Sequence, residues 1–290
     1  MTTGQILITA IFVLMPLCFV IFVYFMVIIL KVFFTAPQVR ETSRYILFIH
    51  MLLNDVIYLA ISFFIFSSVM YQILLPIPLC LVITCFSTCM FRITPYNLAV
   101  MSLERYMAIC HPLRYAELCT PQRSSHAIVL MWAVGMVPQF ANVIAYSCSA
   151  NLTMFYLVVS CQRKYTTLND AQVVMRTIID ILSFFIVGMI IAYTYVKVML
   201  VARRMDSGNF AFKAGKTVLL HAFQLLLSMM SFTTLITETY LTTYFQYLPY
   251  TNFFFVMSLP RFVSPLIYGI RDEVFGKAMR KLPSYQSLSR

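Results

Sequence analysis

The segment from Ile6 to Leu30 contains no charged residue and is long enough to cross a lipid bilayer as one helix. A membrane-spanning helix needs about 20 predominantly apolar residues. Similar segments recur along the chain, in which 61% of the residues are hydrophobic and only 11% are charged. A soluble protein of this composition would lack the polar groups to cover its surface, and a disordered chain would contain fewer apolar residues. The sequence therefore predicts an integral membrane protein.

Apolar segments separated by polar, charged or proline-containing breaks predict seven transmembrane helices in a single domain over residues 1–290. The predicted spans are 6–31, 46–71, 79–110, 126–146, 171–201, 215–243 and 250–270. After the last span, apolar residues recur at three- and four-residue steps, which predicts a short amphipathic helix over 271–282 on the membrane surface. The predicted fold is therefore an all-α integral membrane bundle of seven transmembrane helices.

Basic residues are concentrated on one side of these spans. Most of the 21 Lys and Arg residues fall in the loops after spans 1, 3 and 5 and in the C-terminal tail, whereas the opposite loops contain only Arg163 and Lys164. Cytoplasmic loops of membrane proteins are enriched in Lys and Arg. We therefore interpret the net charge of +11 as a sign of membrane orientation and not of nucleic-acid binding. It predicts an extracellular N-terminus and a cytoplasmic C-terminus in the plasma membrane.

The end of span 3 contains the most informative motif, SLERYMAICHPLRY over residues 102–115. An acidic residue directly before an arginine, as in Glu104-Arg105-Tyr106, can pair with that arginine at the cytoplasmic end of a span. The arginine can then turn inward when the bundle opens. A bare Glu-Arg-Tyr could equally be a charged boundary that follows the positive-inside rule. The longer string distinguishes the two readings.

This string resembles the signature of the olfactory receptors, within the rhodopsin-like G-protein-coupled receptors. Further positions match the same family across nearly the whole chain, and the motif variants are most similar to fish odorant receptors. These positions are Asp55 in span 2, Trp132 in span 4, Thr194-Tyr195-Val196-Lys197 ending span 5, Lys213-Ala214 with His221 opening span 6, and Ser264-Pro265-Leu266-Ile267-Tyr268 in span 7.

The resemblance implies a receptor that binds a small odorant inside the helix bundle and activates a heterotrimeric G protein. It implies the stimulatory olfactory type of G protein, which raises cyclic AMP, and no enzymatic step or cofactor. The residues that it assigns to coupling and switching are Glu104, Arg105, Tyr106, Tyr195, His221, Pro265 and Tyr268.

Charged residues inside predicted spans are costly and are functional candidates by default. In the architecture of the family, Arg261 faces Asp55, so we expect an ion pair whose role is either structural or part of switching. Arg92 lies thirteen residues before Arg105, roughly 20 Å along the helix. Asp180 in span 5 is expected at similar depth. Arg92 and Asp180 either pair with each other, or one of them binds an odorant of opposite charge.

Four residues of span 3 share one side because they follow steps of three and four, namely Thr84, Ser87, Thr88 and Phe91. Ordinary helix packing is the alternative reading of this pattern. The family resemblance adds further candidate pocket residues from spans 3, 5, 6 and 7, which are Arg92, Ile179, Asp180, Ser183, Phe232, Thr233, Ile236, Phe254 and Met257. A mostly apolar pocket with a few polar groups suits a small ligand.

The resemblance also implies a disulfide from Cys80, at the start of span 3, to the second outer loop. Its expected partner is Cys161; Cys148 is the alternative but lies close to the end of span 4. In the same loop Asn151-Leu152-Thr153 is a glycosylation sequon, which is a short and weak motif by itself.

Other function classes fit the sequence less well. A transporter or channel predicts inverted repeats, broken helices or a polar pore face, and the sequence has no such pattern. A membrane enzyme would need a metal or nucleophile motif, whereas the four histidines are scattered. A non-olfactory receptor of the same superfamily stays open as an alternative. Amine receptors, however, have an aspartate on the pocket face of span 3, where this chain has Ser87.

Overall fold

The computed structural model describes residues 3–35, 37–151, 155–161, 170–204, 226–227, 230 and 248–263. The predictions for most of span 6, for residues 264–270 of span 7 and for the amphipathic helix at 271–282 lie outside these residues. Among the described residues, five helices are long and apolar enough to cross a membrane, and they correspond to predicted spans 1–5.

These five helices alternate with shorter elements. In chain order the elements are α1 (Thr3–Thr35), α2 (Pro37–Arg40), α3 (Ser43–Met70), β1 (Leu74–Pro76), α4 (Ile77–Cys110), α5 (Pro112–Leu118), α6 (Pro121–Ser149), β2 (Val158–Ser160), α7 (Asp170–Arg204) and α8 (Leu248–Thr251), which continues as a π-helical segment (Asn252–Ser258). Predicted spans 1 to 5 are thus α1, α3, α4, α6 and α7.

The helices begin before the apolar segments do, because their ends are set by capping residues and not by hydropathy. Helix α6 begins at Pro121, five residues before the predicted start of span 4, and the hydroxyl of Thr120 accepts a hydrogen bond from the Arg123 amide. Proline suits the first turn of a helix because its missing N–H would have no partner there. Helix α4 ends at Cys110, because Pro112 has no N–H with which to continue it. Pro112 instead begins the separate helix α5 in the following loop.

Helix α4 lies at the centre of the bundle and packs against α3, α6 and α7. Its buried residues join a core that α1 and α3 also line, with Met15, Met51 and Leu52 fully buried. Large apolar side chains such as Val137 on α6 and Phe185 on α7 are exposed on the outer faces. In a membrane protein such faces contact lipid, so the bundle is apolar on both its inner and outer sides.

A small antiparallel sheet of two short strands accompanies the helices. Strand β1 pairs with β2, with Leu74 opposite Ser160. Each strand has three residues, which is too short for a period-two pattern to be recognised in the sequence. Directly beside the sheet, a disulfide joins Cys80 to Cys161, whose Cα atoms are 5.5 Å apart. Cys148, the alternative partner, is an exposed free thiol in α6.

We expect loss of this disulfide to destabilise the receptor. Cys80→Ser or Cys161→Ser should each lower the free energy of unfolding by about 4–5 kcal/mol in the chain-entropy account, because the bond closes a loop of 81 residues. Thermal unfolding of the purified chain without reductant is the measurement. Cys148→Ser is the matched control and should unfold like the native chain. Equal stability of all three variants would contradict the prediction.

Candidate functional site

A buried ion pair joins α3 to the helical segment that follows the π-helix. Arg261 Nε lies 3.3 Å from Asp55 Oδ1, and both residues are almost completely buried. Thr94 of α4 donates its hydroxyl to the same Asp55 oxygen at 2.8 Å. The Arg261 guanidinium lies 3.9 Å from the ring centroid of Tyr58 and donates to the Met257 carbonyl at 2.7 Å. The structure thus brings together the two charges for which the sequence predicts an ion pair.

The amide of Asn54 extends this polar centre into α4. Its Nδ2 donates both to the Met90 carbonyl and to Thr94 Oγ1, each at 3.0 Å. Thr94 therefore accepts from Asn54 and donates to Asp55. Hydrogen bonds of this kind orient a buried carboxylate and offset part of its desolvation. The three elements are held in one relative position at this depth.

A second buried ion pair connects α4 to α7. Arg92 donates from Nε to Asp180 Oδ1 at 2.7 Å, and its Nη2 lies 2.5 Å from the same oxygen. One helical turn further along, the Tyr96 hydroxyl donates to Ser183 Oγ at 2.9 Å. Of the two readings left open by the sequence, the geometry has Arg92 and Asp180 in contact. Arg92 Nη1 still has no hydrogen-bond partner among the residues that the structure describes.

Arg92 also lines a cavity of about 200 Å³ between α4, α6 and α7. Of the predicted pocket residues that the structure describes, Arg92 and Ile179 line this cavity. The sequence analysis missed four polar side chains of its wall, Gln139 and Asn142 of α6 and Gln172 and Arg176 of α7. A readable signal was present, since Gln139 and Asn142 are three residues apart within an apolar span and so share one helix face.

The predicted pocket face of α4 does not line this cavity. Thr84 and Thr88 donate their hydroxyls to carbonyls of their own helix, those of Cys80 and Thr84, each at 2.7 Å. Phe91 packs toward α3, where its ring centroid is 6.1 Å from that of Tyr58. The remaining predicted residues divide into two groups: Ser87 and Phe254 are buried and Met257 is partly buried, while Phe232, Thr233 and Ile236 lie outside the described residues.

At the other end of α4, Glu104 contacts the loop helix α5. The Tyr115 hydroxyl donates to Glu104 Oε1 at 2.5 Å. Burial raises the pKa of Tyr115, and the hydrogen bond to Glu104 raises it further, so the hydroxyl stays protonated and donating at neutral pH. The hydroxyl of Tyr106 lies 3.1 Å from His111 Nε2. Glu104 therefore has a tyrosine partner that the sequence analysis did not foresee.

The other predicted coupling residues are distributed as follows. Arg105 and Tyr195 are half-buried on α4 and α7, and His221, Pro265 and Tyr268 lie outside the described residues. Asn151 of the sequon is exposed just after α6.

A third polar network, also missed by the sequence analysis, joins α3, α4 and α6 through His50. Trp132 Nε1 donates to His50 Nε2 at 3.0 Å, and Asn97 Nδ2 lies 3.0 Å from His50 Nδ1. Asn97 also donates to the Leu47 carbonyl at 3.0 Å. The only tryptophan of the chain is thereby fixed against the central helix.

Comparison with known proteins defines the class to which this bundle belongs. The sequence profile described as "7 transmembrane receptor (rhodopsin family)" matches residues 26–268. This range includes the last ten residues of α1, the helices α3, α4, α6 and α7, and both buried ion pairs. The chain belongs to the rhodopsin family of seven-transmembrane receptors.

Individual relatives within that family are named as receptors for odorants. "Odorant receptor 131-2" of Danio rerio is 29% identical over 255 residues, which cover 85% of this chain and 78% of the relative. "Olfactory receptor 2M5" of Homo sapiens is 27% identical over 212 residues, or 64% of this chain and 62% of the relative. "Olfactory receptor 10H4" of Homo sapiens is 27% identical, with 68% of this chain and 64% of the relative covered. The chain thus spans less than two thirds of the human receptors.

We expect the Asp55–Arg261 pair to be strongly coupled. Asp55→Leu or Arg261→Met alone should cost about 3–5 kcal/mol, because each leaves one buried charge without its partner. The double variant should recover most of that loss, since both charges are then gone. Thermal unfolding and surface expression measure the effect, with Leu53→Ala, on the exposed side of α3, as control. Strictly additive losses would show that the two charges act independently.

Proposed function

We propose that this protein is an odorant receptor that binds a small-molecule odorant within the helix bundle and activates a heterotrimeric G protein. The observation that carries the proposal is the similarity to a zebrafish odorant receptor over 85% of the chain. Two features of the described helices support it. A cavity of small-molecule size lies in the bundle, and its inner wall contains the buried cation Arg92.

The proposed orientation has the N-terminus outside the cell and the C-terminus in the cytoplasm of a multi-pass plasma-membrane protein. The basic loops and tail support this orientation. The disulfide then lies on the extracellular side, where an oxidising environment maintains such bonds. Asn151 follows α6 on the same side, and we propose it as the glycosylation site.

The proposed signal is a shift between two arrangements of the bundle. An odorant stabilises the arrangement that it binds more tightly, and no covalent step is needed. On the cytoplasmic side, Arg105 and the loop that contains α5 contact the G protein. The Tyr115–Glu104 hydrogen bond supports this assignment, because it connects that loop directly to the central helix α4. The proposed partner is the stimulatory olfactory G protein, which raises cyclic AMP.

Cyclic AMP in cells that express the chain with an olfactory G protein tests this proposal. Pooled odorants should raise cyclic AMP above the level in cells without the receptor. Arg105→Ala should reduce that response by roughly tenfold or more, in the range of known coupling energies. Arg123→Ala, an exposed arginine on the first turn of α6, is the matched control. A calcium response without cyclic AMP would contradict the G-protein type, and silence of a surface-expressed receptor to every pool would contradict the proposal.

Epitope tags test the proposed orientation. A tag before Met1 should bind antibody on intact cells, whereas a tag after Arg290 should bind only after permeabilisation. The reason is the excess of basic residues in the tail and in the loops on its side. Treatment with a glycosidase should lower the apparent mass of the native chain, and Asn151→Gln should abolish that change. Labelling of the C-terminal tag on intact cells would contradict the proposed orientation.

A further inference from the structure

The cavity between α4, α6 and α7 presents a mostly apolar surface to a molecule inside it. Its lining includes six apolar side chains, which are Pro138, Ala141, Ala145, Ala171, Met175 and Ile179. Arg92 Nη1, Gln139 Oε1 and Asn142 Nδ2 also belong to residues of the wall, but these atoms have almost no accessible surface. The cavity is large enough for several water molecules, so an atom that faced it would be accessible. These polar atoms therefore point into the contacts between helices.

The two arginines of the wall have partners within the protein. Arg92 lies against Asp180, with its Nε at 2.7 Å and its Nη2 at 2.5 Å from Oδ1. Arg176 also has an interaction partner within the chain. An ionised ligand would have to leave water for a cavity in which both cations are already engaged, and burial of a charge without its own partner is strongly unfavourable. The wall therefore favours an uncharged ligand.

The volume of the cavity limits the ligand to a small molecule. A cavity of about 150 Å³ is known to hold benzene, so the 200 Å³ observed here suits about six to ten non-hydrogen atoms. In a site of this kind, the removal of apolar surface from water is the main favourable contribution to binding. Toluene and anisole are uncharged molecules that suit both the volume and the lining.

The cavity opens to the outer surface of the bundle between α6 and α7. Ala141 of α6 and Met175 of α7 line it and are also exposed. Ala141 lies eight residues, or about 12 Å, before the end of α6 at Ser149, and so within the membrane-spanning part of that helix. Large apolar side chains are exposed on both sides of the opening, namely Phe140, Ile144, Val174 and Ile178. Such a surface contacts lipid, so the opening faces the bilayer.

We infer that this cavity binds a small uncharged apolar molecule, which enters from the bilayer between α6 and α7. The membrane concentrates such a molecule at the opening, whereas an ionised molecule stays in water. The site differs from the pocket that the family resemblance implies, because α6 forms much of its wall. The inference rests on the proposed function in one respect, namely that this molecule is the odorant.

Ligand-induced stabilisation of the full-length chain tests the site without any G protein. The purified chain in lipid nanodiscs is heated with toluene or anisole, and with sodium benzoate as the charged analogue. Sodium chloride at equal concentration controls for ionic strength. A ligand that binds the folded state raises the Tm as its concentration rises. We expect toluene and anisole to raise the Tm, and benzoate to do so only at about a hundredfold or greater concentration.

Variants of the wall locate the binding. Ala145→Phe and Ile179→Trp fill the cavity from α6 and from α7, and each should abolish the rise in Tm, measured against the same variant without ligand. Val174→Phe is the matched control, since Val174 is exposed on α7 and does not line the cavity. It should respond as the native chain does, which separates binding in the cavity from an effect of toluene on the lipid. None of these variants replaces Arg92 or Asp180.

The rate of ligand exchange tests the route. Fluorine NMR of 4-fluorotoluene in the same nanodiscs measures its exchange between the bilayer and the protein. Ala141→Trp narrows the opening on the lipid side, so it should slow binding and release alike by about tenfold and change the Kd by less than about twofold. Val174→Trp, outside the cavity, should exchange at the native rate.

Several outcomes would overturn the inference. It fails if benzoate stabilises the native chain as well as toluene does, or if neither toluene nor anisole changes the Tm. It also fails if both cavity-filling variants respond to toluene as the native chain does. A native exchange rate in Ala141→Trp would overturn entry from the bilayer.

The cyclic AMP assay separates this inference from the proposed function. Toluene and anisole that stabilise the chain with the expected pattern of variants, while no odorant pool raises cyclic AMP, support the site and contradict the odorant-receptor proposal. Other odorants that raise cyclic AMP, while toluene and anisole neither stabilise nor activate, support the receptor and contradict the site.

Discussion

The contact on which the described helices most depend is the ion pair between Asp55 and Arg261, which joins residues 206 positions apart in the chain. The interior of a membrane protein contains no bulk water to solvate a charge, so each member of the pair requires the other. Thr94 binds the same carboxylate and thereby brings the central helix α4 into the contact. The relative positions of α3, α4 and the last described segment follow from one carboxylate.

The Arg92–Asp180 pair likewise holds two helices together, in this case α4 and α7. It differs in one respect that matters for function. Arg261 contacts Asp55, a backbone carbonyl and the Tyr58 ring, whereas Arg92 also lines a cavity. A buried pair can thus hold two helices together while one of its members lines a cavity. The structural and ligand-binding readings of Arg92 are compatible with each other.

The sequence predicted the features that depend on long-range composition and on family motifs. Apolar segments are sufficient to locate α1, α3, α4, α6 and α7, since a bilayer requires a minimum helix length. The exact ends of these helices depend on local capping residues, such as Thr120 and Pro121. A hydropathy pattern does not locate such residues. The strands β1 and β2 are too short to have a pattern of their own. The cavity wall was only partly predicted, because Gln139 and Asn142 come from α6, to which the family resemblance assigned no ligand contact.

The π-helical segment Asn252–Ser258 has a geometric consequence for the whole centre. The Leu259 amide donates to the Phe254 carbonyl, five residues back, and the Ser258 hydroxyl donates to the Phe253 carbonyl at 2.8 Å. A wide turn of this kind accommodates one more residue than an α-helix, in which each residue advances the direction of the side chain by about 100°. Removing one residue here would return the segment to α-helical winding and rotate Arg261 by that angle away from Asp55. The π-helical segment Asn252–Ser258 thus sets the direction in which the Arg261 side chain leaves the helix that follows it.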